Sequence, residues 1–412
     1  MISKLVSFCR EAPRPALLGL LLFFCAGFAD GALVPFFPLW ASEEASIPVG
    51  AIGLLFGCYA GGELLAAPLI GGIADRVGRR PVLIGSALGV GSGFVALFFV
   101  KGVAATAIVL VLTGIAESVL HPTIMTVIAD VTPAPAHRRW FSLARVSSSA
   151  GQVLGPAAGA LLALLSLSTV FLAAGGMLLL GGIVMLALLS ETRHASPVAT
   201  GDEDEEEEGL SALLPAFRDG RLASLLFWVV LFEVAGSWIE SVIPLYAHDA
   251  GTLTASGVGA LFAYAAALTV VLQMLVSRSV ETRSALWLTG VAGAASILGF
   301  ALLAASPALP ALIGAVSLCS LAQMLIGPLV PTAVNALAPA ARRASYMAAS
   351  SVAVDLKDSL GPSVGTALYA LAPRLPWAIG VPLVALAAFG LGAAMRRTES
   401  TAGVEAEAAA PE

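Results

Sequence analysis

The sequence predicts an all-α membrane protein of twelve transmembrane helices arranged as two six-helix bundles. Three observations carry that expectation. Apolar residues fill 58% of the 412 positions and charged residues 12%, where soluble domains run at about 45–50% and about 25%. Twelve separate stretches are long and apolar enough to cross a bilayer. The two halves also match each other at an offset near 206, half of 412.

Mean hydropathy is +0.93. A disordered chain, a collagen-like chain and a basic nucleic-acid binder are thereby excluded. A water-soluble enzyme is excluded as well, since too few charges remain to solvate its surface. The formal net charge of −6 misleads, because Asp202 to Glu208 supplies seven of the 27 acids in one run. The four cysteines (Cys9, Cys25, Cys58 and Cys319) are scattered without metal-ligand or CxxC spacing. Neither a disulfide framework nor a metal site is expected from them.

A helix needs about 20 mainly apolar residues to cross roughly 30 Å of hydrocarbon. In chain order the stretches are 15–40, 48–71, 81–100, 103–129, 140–166, 168–190, 222–247, 256–277, 284–305, 308–336, 343–371 and 376–395. The first exceeds the apolar core of a secretion signal, and a second span follows at once, so it is read as a mature helix. Of 21 basic residues, seventeen fall on the side that holds both termini. Lys101 and Arg374 fall on the other side, and Arg145 and Lys357 lie inside spans. Both termini are therefore expected in the cytoplasm, with the chain multi-pass in the cytoplasmic (inner) membrane.

The internal repeat pairs Pro38-Leu39-Trp40 with Pro244-Leu245-Tyr246, and Gly155-Pro156 with Gly361-Pro362. Two bundles related by an axis along the membrane normal would place a substrate site where they meet. The domains are then 1–190, an acidic cytoplasmic linker 191–221, and 222–397. The Ala/Glu-rich tail 398–412 is expected to be disordered.

Between spans two and three stands Gly71-Gly72-Ile73-Ala74-Asp75-Arg76-Val77-Gly78-Arg79-Arg80-Pro81. The glycines suit a tight turn between helices, and Pro81 suits the first turn of the next. This stretch resembles the GxLaDRxGRR loop signature of the major facilitator superfamily, with Ile73 for Leu. The resemblance extends over the twelve spans and implies an alternating-access transporter of the major facilitator fold. It also implies a cytoplasmic latch, in which Asp75, Arg79 and Asp130 hold the outward-open state beside Gly71, Arg76, Gly78 and Arg80. In span five, Gly151, Gly155, Pro156 and Gly159 are similar to the GxxxGPxxG signature of the family's antiporters. On physical grounds alone the same residues serve close helix packing and a kink at Pro156. One departure stands out. Leu110 occupies the position of the arginine found in span four of many family antiporters, so coupling cannot run through that residue.

Ionisable residues in mid-membrane cost roughly 2.5–3.5 kcal/mol each on insertion scales, which makes each a functional candidate. The spans hold Asp30, Glu63, Glu117, Glu233, Glu240, Asp355 and Asp358 against Arg145 and Lys357. Spans three, six, nine and twelve hold none, and the family places those four toward lipid.

Asp30, flanked by Gly27 and Gly31, resembles the span-one acid of many multidrug exporters. It fits either a proton or cation site or a structural pair. Glu117 and His121, four apart, share a helix face and fit a proton relay or a local hydrogen bond. Glu233 and Glu240 are seven apart and roughly 10 Å along one helix. Glu240 is also near enough to the outer surface to be simply solvated. Asp355 and Asp358 share a face of span eleven while Lys357 points elsewhere, so Lys357 needs a partner on another helix. Glu63 on span two is the candidate, as a pair that either exchanges or stays fixed. Tyr59, Trp238, Tyr264, Gln273 and Gln323 are candidate cavity residues.

The functional expectation is proton-coupled export (antiport) of small amphipathic, cationic or neutral compounds such as drugs, since acids outnumber bases inside the spans. The partners are a small-molecule substrate, protons and the lipid bilayer, with no nucleic acid. The cofactor is none beyond the proton gradient, and the chain is expected to work as a monomer. Carriage of a specific sugar, siderophore or amino-acid-like metabolite, or a non-transporting sensor role, are the alternatives. No nucleophile–base set, metal cluster or phosphate-cradling loop is read from the sequence, so neither an enzyme nor a metal site is expected.

Overall fold

The computed structural model describes residues 12–66, 77–190, 216–339 and 342–408. Within them the chain is helical. The first half contributes α1 (Arg14–Glu43), α2 (Val49–Ala66), α3 (Arg79–Phe99), α4 (Val103–Val131), α5 (His137–Leu162) and α6 (Leu167–Leu188). The second contributes α7 (Gly220–Gly236), α8 (Trp238–Ser241), α9 (Ile243–Asp249), α10 (Ala255–Thr282), α11 (Ala285–Ala305), α12 (Leu309–Leu337), α13 (Arg343–Leu371) and α14 (Leu375–Ala408).

Among the described residues, ten spans are long and apolar enough to cross a membrane by length and composition, with α7 to α9 counting as one. α5 and α13, at 26 and 29 residues, have the length. They carry polar first halves instead, beginning His137-Arg138-Arg139 and Arg343-Ala344-Ser345. Ten of the twelve expected spans are thus apolar enough to cross by length and composition, and the stretches expected as spans five and eleven are helices of similar length with polar first halves.

The chain divides into two compact units. One holds the first half together with Ala255–Ala263, the first turns of α10; the other holds the rest. The same packing scheme recurs in both. In the first, α1 packs on α5 and α6, and α3 on α4 and α6. In the second, α7 packs on α13 and α14, and α11 on α12 and α14. The repeat read from a handful of matched residues is therefore a repeat of helix neighbours.

Small residues set a close crossing in the first unit. A Cβ added at Gly155 would stand 2.5 Å from the carbonyl oxygen of Phe28, and one at Gly31 would stand 2.6 Å from that of Gln152. α1 and α5 therefore meet backbone to backbone, as small residues four apart permit. The corresponding position in the second unit, Gly361 on α13, lies against Ser237 and the Val234 carbonyl. Gly159 and Gly365, again 206 apart, each accommodate an aromatic ring, Phe36 in one unit and Trp238 in the other.

Span seven, Gly220–Asp249, is one candidate passage that is irregular at Ser237 and Val242, where the N–H groups still bond the carbonyls of Glu233 and Trp238 four residues back. Ser237 and Ser241 donate their hydroxyls to the carbonyls of Val234 and Ser237, and Pro244 suits the start of α9. The stretch expected to be disordered from 398 is helical as far as Ala408. Its Ala and Glu residues are strong helix formers, so the helix outlasts the apolar segment. The acidic run 202–208 lies outside the described residues.

Glu44, just past the end of α1, accepts the backbone N–H groups of Leu167 (2.7 Å) and Ser168 (3.0 Å) and the Ser168 hydroxyl. It satisfies free donors at the start of α6, a role the sequence analysis did not assign. Glu44→Ala is expected to lower stability by about 1–2 kcal/mol, read as a lower midpoint of thermal unfolding in detergent. An unchanged midpoint would remove this cap from the account.

Asp219 plays the matching part at α7. Burial alone would raise its carboxyl. The Tyr346 hydroxyl (2.7 Å), the backbone N–H groups of Arg221 (2.9 Å) and Leu222, and the Arg221 charge instead hold it below the ordinary range.

Candidate functional site

Charged groups gather in one cluster in each unit. In the first unit α1 contributes Asp30, α2 contributes Tyr59 and Glu63, and α4 contributes Glu117 and His121. α2 runs against α4 where a Cβ at Gly114 would meet the backbone of Tyr59 and Glu63. That contact brings these two residues beside Glu117, one turn further along α4.

Glu117 is 4% exposed. His121 Nδ1 stands 3.6 Å from its Oε1, and Phe23 stacks on the imidazole at 5.3 Å with an interplanar angle of 17°. One ligand atom each from Asp30, Glu117 and His121 lies within 4.8 Å of the others. Asp30 and Glu63 are also the charges that act on Glu117. The glycines flanking Asp30 receive the backbone of α5, Gly27 at Ser148 and Gly31 at Gln152.

In the second unit the charges are mixed. Lys357 on α13 reaches Glu233 Oε2 on α7 at 3.8 Å and Asp358 Oδ1 at 3.5 Å. Gln323 on α12 donates its side-chain N–H to the same Glu233 oxygen at 3.2 Å. Glu240 on α8 is exposed and lies in the electrostatic field of Lys357 and Asp358.

Lys357 does need another helix, as the sequence argument held. Within its own unit the partner is Glu233, because α7 passes α13 there; the pair expected with Glu63 would run between the two units. The flexible lysine stem also reaches its neighbour Asp358, which helix spacing alone argued against. Trp238 was expected to line a cavity. It is fully buried instead, with its ring 6.2 Å from Phe300 and against Gly365, which leaves room for it. Tyr264 is half exposed and shares a hydrogen bond of 2.9 Å with Ser317. Gln273 lies half-buried on α10, and the side chain of Asp355 lies outside the described residues.

At the turn before α3, Gly71, Asp75 and Arg76 lie outside the described residues. Gly78 has φ +102°, a conformation that favours glycine, and it starts α3. Arg79 pairs with Asp130 at the end of α4, and Arg80 donates to the Leu186 carbonyl at 2.8 Å. Arg79 and Asp130 are thus brought together from positions 51 residues apart. Gly151, Gly155 and Gly159 occupy the α5 face toward α1, and Pro156 lies inside the helix.

The sequence model of the Major Facilitator Superfamily matches residues 19–362. The chain belongs to the Major Facilitator Superfamily. This is a family of transporters, not enzymes, and the chain is a multi-pass membrane protein.

Among its relatives is the class C tetracycline resistance protein of Escherichia coli, 28% identical over 372 residues, 84% of this chain and 89% of that protein. The class E tetracycline resistance protein of Escherichia coli is 26% identical over 57% of this chain and 58% of its own length. The multidrug resistance protein MdtG of Proteus mirabilis is 28% identical over 56% of this chain and 58% of its own. The match thus spans less than two thirds of the class E and MdtG proteins.

In fold, the crystal structure of the nucleoside transporter NupG superposes with a TM-score of 0.74 at 14% identity, covering 94% of this chain and 99% of that one. The human organic anion transporter MFSD10 superposes at 0.61 and 21% identity, covering 92% and 100%.

Proposed function

We propose that this superfamily member is a proton-coupled exporter of small amphipathic, cationic or neutral compounds, working by alternating access in the cytoplasmic membrane with both termini inside. The observation that carries the reading is the Glu233–Lys357 pair on α7 and α13, placed in mid-span with Gln323 as a second donor. A partly buried pair of this kind has two states. With Glu233 ionised, Lys357 is shared between it and Asp358; with Glu233 protonated, the attraction across the helices is lost and Lys357 keeps only Asp358. Proton arrival thereby rearranges contacts between two helices, and a ligand or proton that favours one arrangement shifts the population. The names of the relatives, tetracycline and multidrug resistance proteins, support export and an amphipathic cargo. The Arg79–Asp130 pair supports a latch at the cytoplasmic turn, closed in one of the two conformers.

Inside-out membrane vesicles, acidified within by respiration, test the reading with a panel of lipophilic cationic dyes. Vesicles carrying the chain are expected to accumulate at least one dye above control vesicles, and a protonophore is expected to return it to the control level. Accumulation of none, or accumulation indifferent to the protonophore, overturns the proposal.

A further inference from the structure

We propose that Asp30, Glu117 and His121 form a binding site for a divalent first-row transition cation such as Zn2+. Two carboxylates and one imidazole converge from α1 and α4, with one ligand atom each lying within 4.8 Å of the others. Donors bound to one such ion at about 2.1 Å stand roughly 3–4 Å apart. Glu117 and His121 already meet that spacing at 3.6 Å, and a small turn of the Asp30 side chain closes the set.

A second observation points to a ligand independently of that convergence. Glu117 is 4% exposed and its Oε1 accepts no hydrogen bond. A carboxylate oxygen in that position costs free energy unless a cation or donor reaches it. The charges acting on Glu117, Asp30 and Glu63, are themselves acidic. A divalent ion would offset the two ligating carboxylates at a depth where net charge is expensive.

The donor set narrows the ion. Mg2+ and Ca2+ favour all-oxygen shells, whereas an imidazole with carboxylates suits Zn2+, Fe2+, Co2+ or Ni2+. Phe23, stacked on the imidazole, fixes the ring plane as an outer-shell contact does in metal sites. Three protein ligands leave at least one coordination position open. The inference does not depend on the proposed proton coupling, which uses residues of the other unit.

The test uses full-length protein in detergent, titrated with Co2+ as an optical probe and then with Zn2+ as competitor. Bound metal is counted after gel filtration. About one Co2+ per chain, displaced by Zn2+, is expected. Affinity is expected to fall at least about tenfold in Glu117→Gln and in His121→Gln. His121 is 37% exposed at its side chain, so His121→Gln tests the site even if Glu117→Gln does not fold. A third variant, with Asp202 to Glu208 replaced by Ser and Asn, is expected to keep the ion. No saturable Co2+ binding, binding unchanged by His121→Gln, or binding lost with the acidic run would each overturn the site.

Discussion

Lys357→Met is expected to destabilise the protein by about 3–5 kcal/mol and to reduce gradient-driven accumulation to the level seen without a gradient. The cost arises because the carboxylate of Glu233, 12% exposed at its side chain, would lose its cation and keep only the Gln323 N–H. Glu233→Gln is expected to be far milder for the fold, since an amide of the same shape can still meet Gln323 while Lys357 keeps Asp358 at 3.5 Å. It should nonetheless abolish coupling, because an amide cannot take up and release the proton. In the double variant no buried charge is left alone, so most of the stability should return while transport stays lost. Thermal unfolding in detergent and dye accumulation in vesicles read the two effects separately. Additive losses of stability in the double variant would show that the two side chains do not act as a pair. Full transport by Glu233→Gln would remove this pair from the coupling mechanism.

Gly155→Val is the second large effect expected. Even the first carbon of the new side chain would stand 2.5 Å from the Phe28 carbonyl oxygen, a backbone atom that cannot rotate away. Accommodating it means parting α1 from α5, at a cost of about 3 kcal/mol or more. The readout is the yield of monodisperse protein and its unfolding temperature, with Gly176→Ala as the control. Nothing lies within 4 Å of a Cβ at Gly176, so that change should be harmless or slightly stabilising, Ala being the better helix former. Equal behaviour of the two variants would mean that the α1–α5 contact does not hold the unit together.

Much of this architecture was readable from the sequence because a bilayer permits few solutions. Apolar runs announce the helices, and the absence of charge from four spans agrees with the chain's family. Gly151, Gly155 and Gly159 announce a close crossing by their spacing alone. The Arg79–Asp130 pair was also anticipated, although only through the resemblance of the loop around it.

What escaped depends on which helices meet, a property that periodicity along one helix does not contain. That Lys357 meets Glu233 is decided by where α7 passes α13, which no spacing along α13 reveals. Trp238 changed roles because its ring packs against Gly365 on α13 and near Phe300 on α11, neighbours that its own helix does not announce. Glu44 reads as an ordinary surface acid until the start of α6 is seen to lie against it. The helical tail beyond 398 was missed for another reason. Lack of apolar residues argues against packing, yet a helix continued from a stable segment needs no fresh nucleus.

The seam between α1 and α5 has a mechanical consequence. With main chain resting on main chain at Phe28–Gly155 and Gln152–Gly31, neither helix can slip lengthwise past the other without driving carbonyl oxygens into Cα atoms. The two form a stiff strut on which Asp30 is mounted. Whatever travel that carboxylate undergoes in a working cycle is set by the tilt of the strut, so levers that reorient it must act at its ends.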